Sequence, residues 1–338
     1  MKAVQANFLS FLQGTKQFVI PIYQRNYSWT LKQCEQLWND ITRTALSPEI
    51  PGHFIGSIVY IESGVYQVSS VPQLLVIDGQ QRLTTLSLLL TALSKAVGKD
   101  DLEGDITPIK IKNYYIFNDL EQHDLRYKII LTENDKETFV SIIEGRELPT
   151  LFSHHIVENY KFFEEQIRDT QINLIRIFQG IQKLFIVDIS LDRNYDNPQL
   201  IFESLNSTGL DLSQADLIRN YILMSLEPKE QARIYNEYWR PMEKSFEQVD
   251  YTEYFDRFMR DYLTMETDQI PNISEIYSKF KSYMASYKDG AIDRVVEKIR
   301  YYSKLYTKLI YGREENSEIR QAINDIRELK VDVSYPFL

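Results

Sequence analysis

The stretch "LLVIDGQQRLTTLSLLL", residues 74–90, contains residue types that could do chemistry. Its polar residues lie between an apolar run typical of a buried strand and a leucine-rich run typical of a helix. A helix N-terminus after a glycine offers free backbone N–H groups to a phosphate, and an arginine there can bind the phosphate through two hydrogen bonds. An aspartate repels a phosphate unless a divalent metal bridges them, so Asp78 is a candidate Mg²⁺ ligand or water-orienting group. The candidates are Asp78, Gly79, Gln80, Gln81 and Arg82.

A purely structural interpretation of the same residues is also open. Asp78 could be the N-cap of the helix and Gln81 its third residue, which together would form a capping box. Gly79 would then ease the turn, and Arg82 would lie on the first exposed turn. The sequence has no GxxxxGK[ST] motif, so a nucleotide at this site would not be bound by the usual P-loop.

The stretch "VIPIYQRNYSW", residues 19–29, places aromatic residues around amides and a guanidinium. This combination suits base stacking and phosphate contact. The aromatic rings could instead be core anchors, and for Trp29 we favour that alternative. The ligand-binding candidates are Tyr23, Gln24 and Arg25.

A third polar stretch is "FESLNSTGLDLSQADLIRN", residues 202–220. Ser213 and Asp216 have the spacing of a capped helix start, and capping alone can explain them. The polar turn before them contains Asn206 and Thr208, whose small hydrogen-bonding groups suit a ligand or a metal-bound water.

The hydrophobic periods predict mixed α+β structure up to about residue 205 and an all-α region afterwards. We therefore expect one domain over 1–205 and a helical extension over 206–338. A short helix is predicted at 5–13 and a longer one at 30–46, with strands at "HFIGSIVYIE", "QLLVID", "RYKIILT" and "KLFIVDISL". The segments "IPIYQR" and "DGQQR" are expected to face one groove, because a polyanion site in an acidic protein needs their arginines together.

Composition excludes several classes of protein. The 338-residue chain has a net charge of −10, which argues against binding nucleic acid by bulk electrostatics. The first hundred residues, however, hold eight basic and six acidic side chains, so a polyanion site is expected there. One cysteine excludes an internal disulfide and a cysteine metal cluster. With no membrane-length apolar run and no signal-peptide pattern, we expect a cytoplasmic protein.

Four signatures in the correct order resemble the N-terminal domain of GmrSD-type, modification-dependent restriction systems. They are "IPIYQRNYSW", "HFIGSIVY", "VIDGQQRLTTLSLLL" and "LNSTGLDLSQADLIRNYIL", and the resemblance runs from residue 8 to about 225. It implies a ParB/sulfiredoxin-like core, binding and hydrolysis of a nucleoside triphosphate at DGQQR, and a role in recognising or cleaving modified phage DNA. The family's site then falls on Asp78 to Arg82, with Tyr23, Gln24 and Arg25 beside it, and Asn206 and Thr208 match its polar turn.

The helical remainder is similar to that family's helical extension. Full-length members often continue into an HNH-type nuclease domain, so we expect such a domain or subunit as a partner and read the apolar end "VDVSYPFL" as a boundary before it. Nuclease chemistry is not visible in this chain, because its four histidines are scattered. They are His53, His123, His154 and His155.

These observations predict an NTP-binding and NTP-hydrolysing sensor or regulatory module of a phage-defence restriction system. The helix N-terminus and Arg82 would hold phosphate, Asp78 would share Mg²⁺ with it, and Gln80 or Gln81 would orient water. The alternative is a non-enzymatic module that reads modified DNA in the same groove without nucleotide turnover. In either case we expect that the chain alone does not cut DNA.

Overall fold

The structure is a computed structural model that describes residues 1–62, 71–97, 107–192, 195–206, 212–246, 251–287 and 292–338. The chain divides into two compact units, Met1–Pro198 and Gln199–Leu338. The division lies at the start of a helix that begins at Pro198 and ends at Asn206. The predicted boundary at 205/206 lies at the C-terminal end of the same helix.

A six-stranded mixed sheet is the centre of the first unit. The strand order is β1-β6-β3-β4-β2-β5. Strand β1 pairs antiparallel with β6, and β4 pairs antiparallel with β3, whereas the other three pairings are parallel. The α+β class predicted from the sequence is therefore confirmed. The strands are β1 (Lys2–Asn7), β2 (Gln17–Val19), β3 (His53–Glu62), β4 (Gln73–Asp78), β5 (Ile129–Ile130) and β6 (Leu184–Leu191).

Helices of the first unit cover the sheet. The central helix α3 is buried along nearly its whole length, and hydroxyl side chains such as those of Thr84 and Thr91 are satisfied there by donating to its own backbone. The helices are α1 (Phe8–Leu12), α2 (Leu31–Leu46), α3 (Gln80–Ala96), α4 (Pro108–Ile111), α5 (Glu133–Glu144), α6 (His154–Asp169) and α7 (Leu174–Gln182).

Two local predictions need correction. The helix predicted at 5–13 is confined to α1, because the preceding residues form β1 and pair with β6, a strand about 180 residues away. The strand predicted at "RYKIILT" is reduced to the two residues of β5. In both cases long-range pairing, which a local pattern does not contain, decides the outcome.

The described part of the second unit is helical, as predicted. Its core is rich in aromatic rings, including Trp239, Phe246, Phe255 and Phe258, which are all fully buried. The helices are α8 (Pro198–Asn206), α9 (Gln214–Met224), α10 (Pro228–Ile234), α11 (Arg240–Ser245), α12 (Tyr251–Thr267), α13 (Ile276–Ala285), α14 (Ile292–Tyr311) and α15 (Ser317–Leu329). Among the described residues, no helix has the length and apolar character needed to cross a membrane.

Candidate functional site

The DGQQR segment forms the sharp turn between β4 and α3. Asp78 ends the strand and Gln80 begins the helix, so Gly79 alone makes the turn. Gly79 has φ +97°, and a Cβ added there would lie 3.0 Å from the Ser57 carbonyl oxygen of β3. Glycine is therefore required both by the left-handed conformation and by the close approach to β3. Gly79, and not Asp78, is the N-cap, and no side chain caps the helix, so the capping-box interpretation is wrong.

Asp78 and Arg82 form an ion pair at this turn. Arg82 Nη2 lies 2.9 Å from Asp78 Oδ2 and donates to the Ser57 carbonyl at 2.7 Å. The two side chains are partly exposed, at 24% for Arg82 and 31% for Asp78. Arg82 Nε is a buried donor without a partner among the described residues. The pair therefore presents a cation and an anion together at the solvent-facing side of the helix N-terminus.

Gln80 joins this turn to the segment that follows β2. Its amide nitrogen donates to Gln24 Oε1 at 3.3 Å and to the Arg25 carbonyl at 3.2 Å. Gln24 in turn donates to the Ile77 carbonyl of β4 at 2.9 Å. The segments "IPIYQR" and "DGQQR" are therefore in contact, because β2 and β4 are parallel neighbours whose carboxyl ends lie at one edge of the sheet. A groove shared by Arg25 and Arg82 stays a prediction. Arg25 is half-buried there, whereas Tyr23 is buried and its ring has no open face for a base.

Gln81 holds the rest of the segment after β2, residues 24–29, which we call the strap. Gln81 Oε1 accepts from the backbone N–H groups of Ser28 at 2.9 Å and Trp29 at 3.2 Å. Its amide nitrogen donates to the Asn26 carbonyl at 3.4 Å. Both amides of the DGQQR motif are thus buried and engaged with the strap, not directed at solvent.

Asp135 and Asn159 fix the strap from the other side. Asp135 Oδ2 accepts from the Tyr27 backbone N–H at 2.6 Å, and Asn159 Nδ2 donates to the Trp29 carbonyl at 2.7 Å. The Tyr27 hydroxyl is buried and forms hydrogen bonds with Thr85 and Asn159. Burial raises the pKa of this hydroxyl and also the pKa of the Asp135 carboxyl. Tyr27 is thus a core anchor, the alternative considered from the sequence. Sequence reasoning missed Asp135 and Asn159 because each lies in a helix of ordinary amphipathic pattern.

A narrow crevice lies under the strap, lined by Ile20, Tyr27, Gln80, Gln81, Thr84, Leu131, Thr132 and Asp135. It is too narrow to admit a water molecule, so no ligand fits beneath the strap in this arrangement. The accessible polar groups of the motif are those of Asp78 and Arg82, on its outer side.

Replacing Gln81 with alanine tests the strap. In Gln81→Ala the N–H groups of Ser28 and Trp29 lose their acceptor, so we expect the free energy of unfolding to fall by about 1–3 kcal/mol in urea denaturation. Gln33→Ala is the matched control: Gln33 also accepts from a backbone N–H, that of Thr30, at an exposed site. We expect about 0.5–1 kcal/mol there. Equal losses in the two variants would contradict the proposed role of Gln81.

The third polar stretch contains a buried ionic network. Ser213 caps α9 by accepting from the Asp216 N–H at 3.1 Å, which confirms the capping interpretation. Arg219 lies 2.6 Å from both Asp216 and Glu243, and its side chain is only 7% exposed. Asp256 accepts from the first N–H groups of α9, and burial raises its pKa to about 6. Asn206 and Thr208 cannot be placed, because Thr208 and the Asn206 side chain lie outside the described residues.

The sequence that forms this strand, turn and helix is similar to that of known proteins. Residues 8–223 match the N-terminal domain of the GmrSD restriction endonuclease. The chain belongs to this family. The match covers strands β2 to β6, the strap, the DGQQR turn and helix α9 except its last residue, so every candidate site residue lies within the GmrSD N-terminal domain.

The chain is also similar to an uncharacterized protein of Methanocaldococcus jannaschii. The two sequences are 24% identical over 250 residues, which is 63% of this chain and 40% of that relative. The chain thus spans less than half the length of that curated relative.

Proposed function

We propose that this chain is the nucleoside triphosphate-binding and hydrolysing module of a restriction system that acts on modified DNA, with a ParB/sulfiredoxin-like core. The observation that carries the proposal is the Asp78–Arg82 pair beside the uncapped N-terminus of α3. A cation, a carboxylate and first-turn N–H groups that no side chain caps are together the groups that a phosphate and its metal need.

Arg82 and the first turn of α3 would bind the phosphates. No side chain caps this helix, so its first N–H groups have no competing side-chain acceptor. The Nη1 atom of Arg82 forms no hydrogen bond within the described residues, and it can donate to a phosphate oxygen while Nη2 keeps its bond to Ser57. A charge-assisted bond of this kind is worth about 1.5–3 kcal/mol.

Asp78 fits the role of a single protein ligand for Mg²⁺. Its Oδ2 is bonded to Arg82, whereas its Oδ1 forms no hydrogen bond with another described residue. Mg²⁺ is commonly held by one or two carboxylates together with substrate phosphates. When bound, the metal would neutralise charge on the phosphates. Gln80 and Gln81 have a structural role in this proposal. Their hydrogen bonds to the strap keep two of its residues, Gln24 and Arg25, beside the turn.

Modified DNA is the proposed macromolecular partner, and an HNH-type nuclease domain or subunit is the proposed partner for strand cleavage. The family membership supports both, because a GmrSD restriction endonuclease must cut DNA and its N-terminal domain is the part matched here. We place the DNA contacts in the first hundred residues, which hold eight basic and six acidic side chains, whereas the whole chain has a net charge of −10.

Phosphate release from purified protein tests the proposed activity. Each of the four common ribonucleoside triphosphates is incubated with Mg²⁺, with and without modified DNA, and Asp78→Asn is measured alongside. We expect turnover of at least one triphosphate by the wild type and a loss of at least 100-fold in Asp78→Asn, because the amide is neutral and a weak Mg²⁺ ligand. Asp40→Asn is the control, since Asp40 pairs with Arg43 and His53 away from the motif.

DNA binding without any nucleotide binding or turnover would overturn the proposal in favour of the non-enzymatic DNA-reading module. Equal turnover in Asp78→Asn and the wild type would remove Asp78 from the site. Nicking of plasmid by the wild type that Asp78→Ala abolishes would instead identify the DGQQR turn as a nuclease site.

A further inference from the structure

Strand β3 contains a glycine whose position is explained by Arg82. Gly56 lies where the pairing of β3 with β6 shifts register, between Phe54 and Ser57, so it is part of a β-bulge. Its φ is +104°, a conformation that side-chain-bearing residues rarely adopt. A glycine inside a strand marks a bulge or the close approach of another group.

The group that approaches Gly56 is the guanidinium of Arg82. A Cβ added to Gly56 would lie 3.0 Å from Arg82 Nη1, 3.1 Å from Cζ and 3.4 Å from Nε. The next residue of the strand, Ser57, accepts from Arg82 Nη2 at 2.7 Å. The guanidinium therefore lies against the backbone of the bulge, and a methyl group at position 56 would occupy the space that it needs.

The contact fixes Arg82 in one orientation. Arg82 Nε is buried at the bulge without a partner among the described residues, so this side of the guanidinium is held by packing and not by a hydrogen bond. Close packing on Gly56 together with the bonds of Nη2 to Ser57 and Asp78 restricts the guanidinium to this position. A positioned guanidinium binds phosphate with less loss of conformational entropy than a mobile one.

We propose that Gly56 is a positioning residue for triphosphate binding, which acts by seating the guanidinium of Arg82 on the bulge of β3. The inference rests on the proposed function and deepens it, because it assigns a role to the "HFIGS" segment, which forms no part of the DGQQR motif. Gly56 itself contacts no phosphate; its effect passes through Arg82.

A double-mutant cycle tests this coupling. Affinities for non-hydrolysable ATP and GTP analogues with Mg²⁺ are measured by calorimetry for the wild type, Gly56→Ala, Arg82→Ala and the double variant. We expect Gly56→Ala to lower the affinity for the triphosphate analogue at least tenfold when Arg82 is present. In the Arg82→Ala background we expect the same change to lower it less than twofold. Gly145→Ala is the matched control: Gly145 also has positive φ, +73°, but no atom lies within 4 Å of an added Cβ. We expect its affinity to stay within twofold of the wild type.

The outcomes separate this inference from the proposed function. Wild-type affinity in Gly56→Ala, or an equal loss with and without Arg82, would overturn the role of Gly56. If the wild type binds no triphosphate, the proposed function fails. The free energies of unfolding of the same four proteins are then compared by urea denaturation. Losses that are coupled between the two sites support the seating of Arg82 on Gly56, and additive losses overturn it. If Gly56→Ala does not fold, the double variant decides, because shortening Arg82 restores folding only when the clash with the guanidinium is the cause.

Discussion

Arg82→Ala is expected to lower triphosphate affinity by about ten- to a hundredfold, because a charge-assisted hydrogen bond contributes roughly 1.5–3 kcal/mol. The change removes the only basic side chain of the DGQQR motif. Calorimetry with a non-hydrolysable triphosphate analogue and Mg²⁺ measures the affinity. Thermal unfolding measures the loss of stability that follows from removing the bond to Ser57 and the ion pair with Asp78. We expect a small fall in melting temperature, because the ion pair is partly exposed.

Arg168→Ala is the control for the Arg82 prediction. Arg168 is an arginine of the same unit whose ion pair with Asp169 is solvent-exposed on both sides, with side chains 68% and 67% exposed. We expect unchanged affinity and unchanged stability in this variant. Unchanged affinity in Arg82→Ala, with a normal circular dichroism spectrum, would exclude Arg82 from a phosphate site. A large loss of melting temperature without a change in affinity would make Arg82 a purely structural residue.

Arg219→Ala is expected to have the largest effect on stability, a loss of about 3–5 kcal/mol from the free energy of unfolding of the second unit. The arginine lies between Asp216 and Glu243, which would both be left as unpaired carboxylates with little solvent contact. Glu243 also accepts from Trp239 Nε1 at 3.1 Å. Urea denaturation followed by tryptophan fluorescence and far-ultraviolet circular dichroism measures the change, since Trp239 is itself part of the network.

Arg233→Ala provides the matched control for Arg219. Arg233 pairs with three carboxylates, those of Glu230, Glu237 and Asp293, but its side chain is 33% exposed. Removing it leaves carboxylates in contact with water, so we expect a loss below about 1 kcal/mol. If Arg233→Ala cost as much as Arg219→Ala, burial would not be what gives the network its importance.

The sequence alone determined the elements that local patterns encode. The helix over 30–46 and the strands of "HFIGSIVYIE" and "QLLVID" are found as α2, β3 and β4, because their apolar periods and end signals lie within a few residues. The strand-to-helix turn at Asp78 to Arg82 and the Ser213 cap are likewise local, and both could be predicted. The family was also recognisable from its four signatures, since their order along the chain needs no three-dimensional information.

Only the tertiary structure decided what the polar side chains of those elements contact. Gln81 had the spacing of a capping box, yet its carbonyl oxygen accepts from the strap, because parallel pairing of β2 with β4 brings distant N–H groups within reach. Pairing with β6 likewise makes residues 5–7 the end of a strand where the local pattern favoured the start of a helix. The space that Gly56 leaves for Arg82 depends on a bulge in one strand and a helix after another, so no local pattern contains it. The sequence thus specifies residue types and their local conformation, whereas contacts between distant segments are fixed by sheet order and close packing.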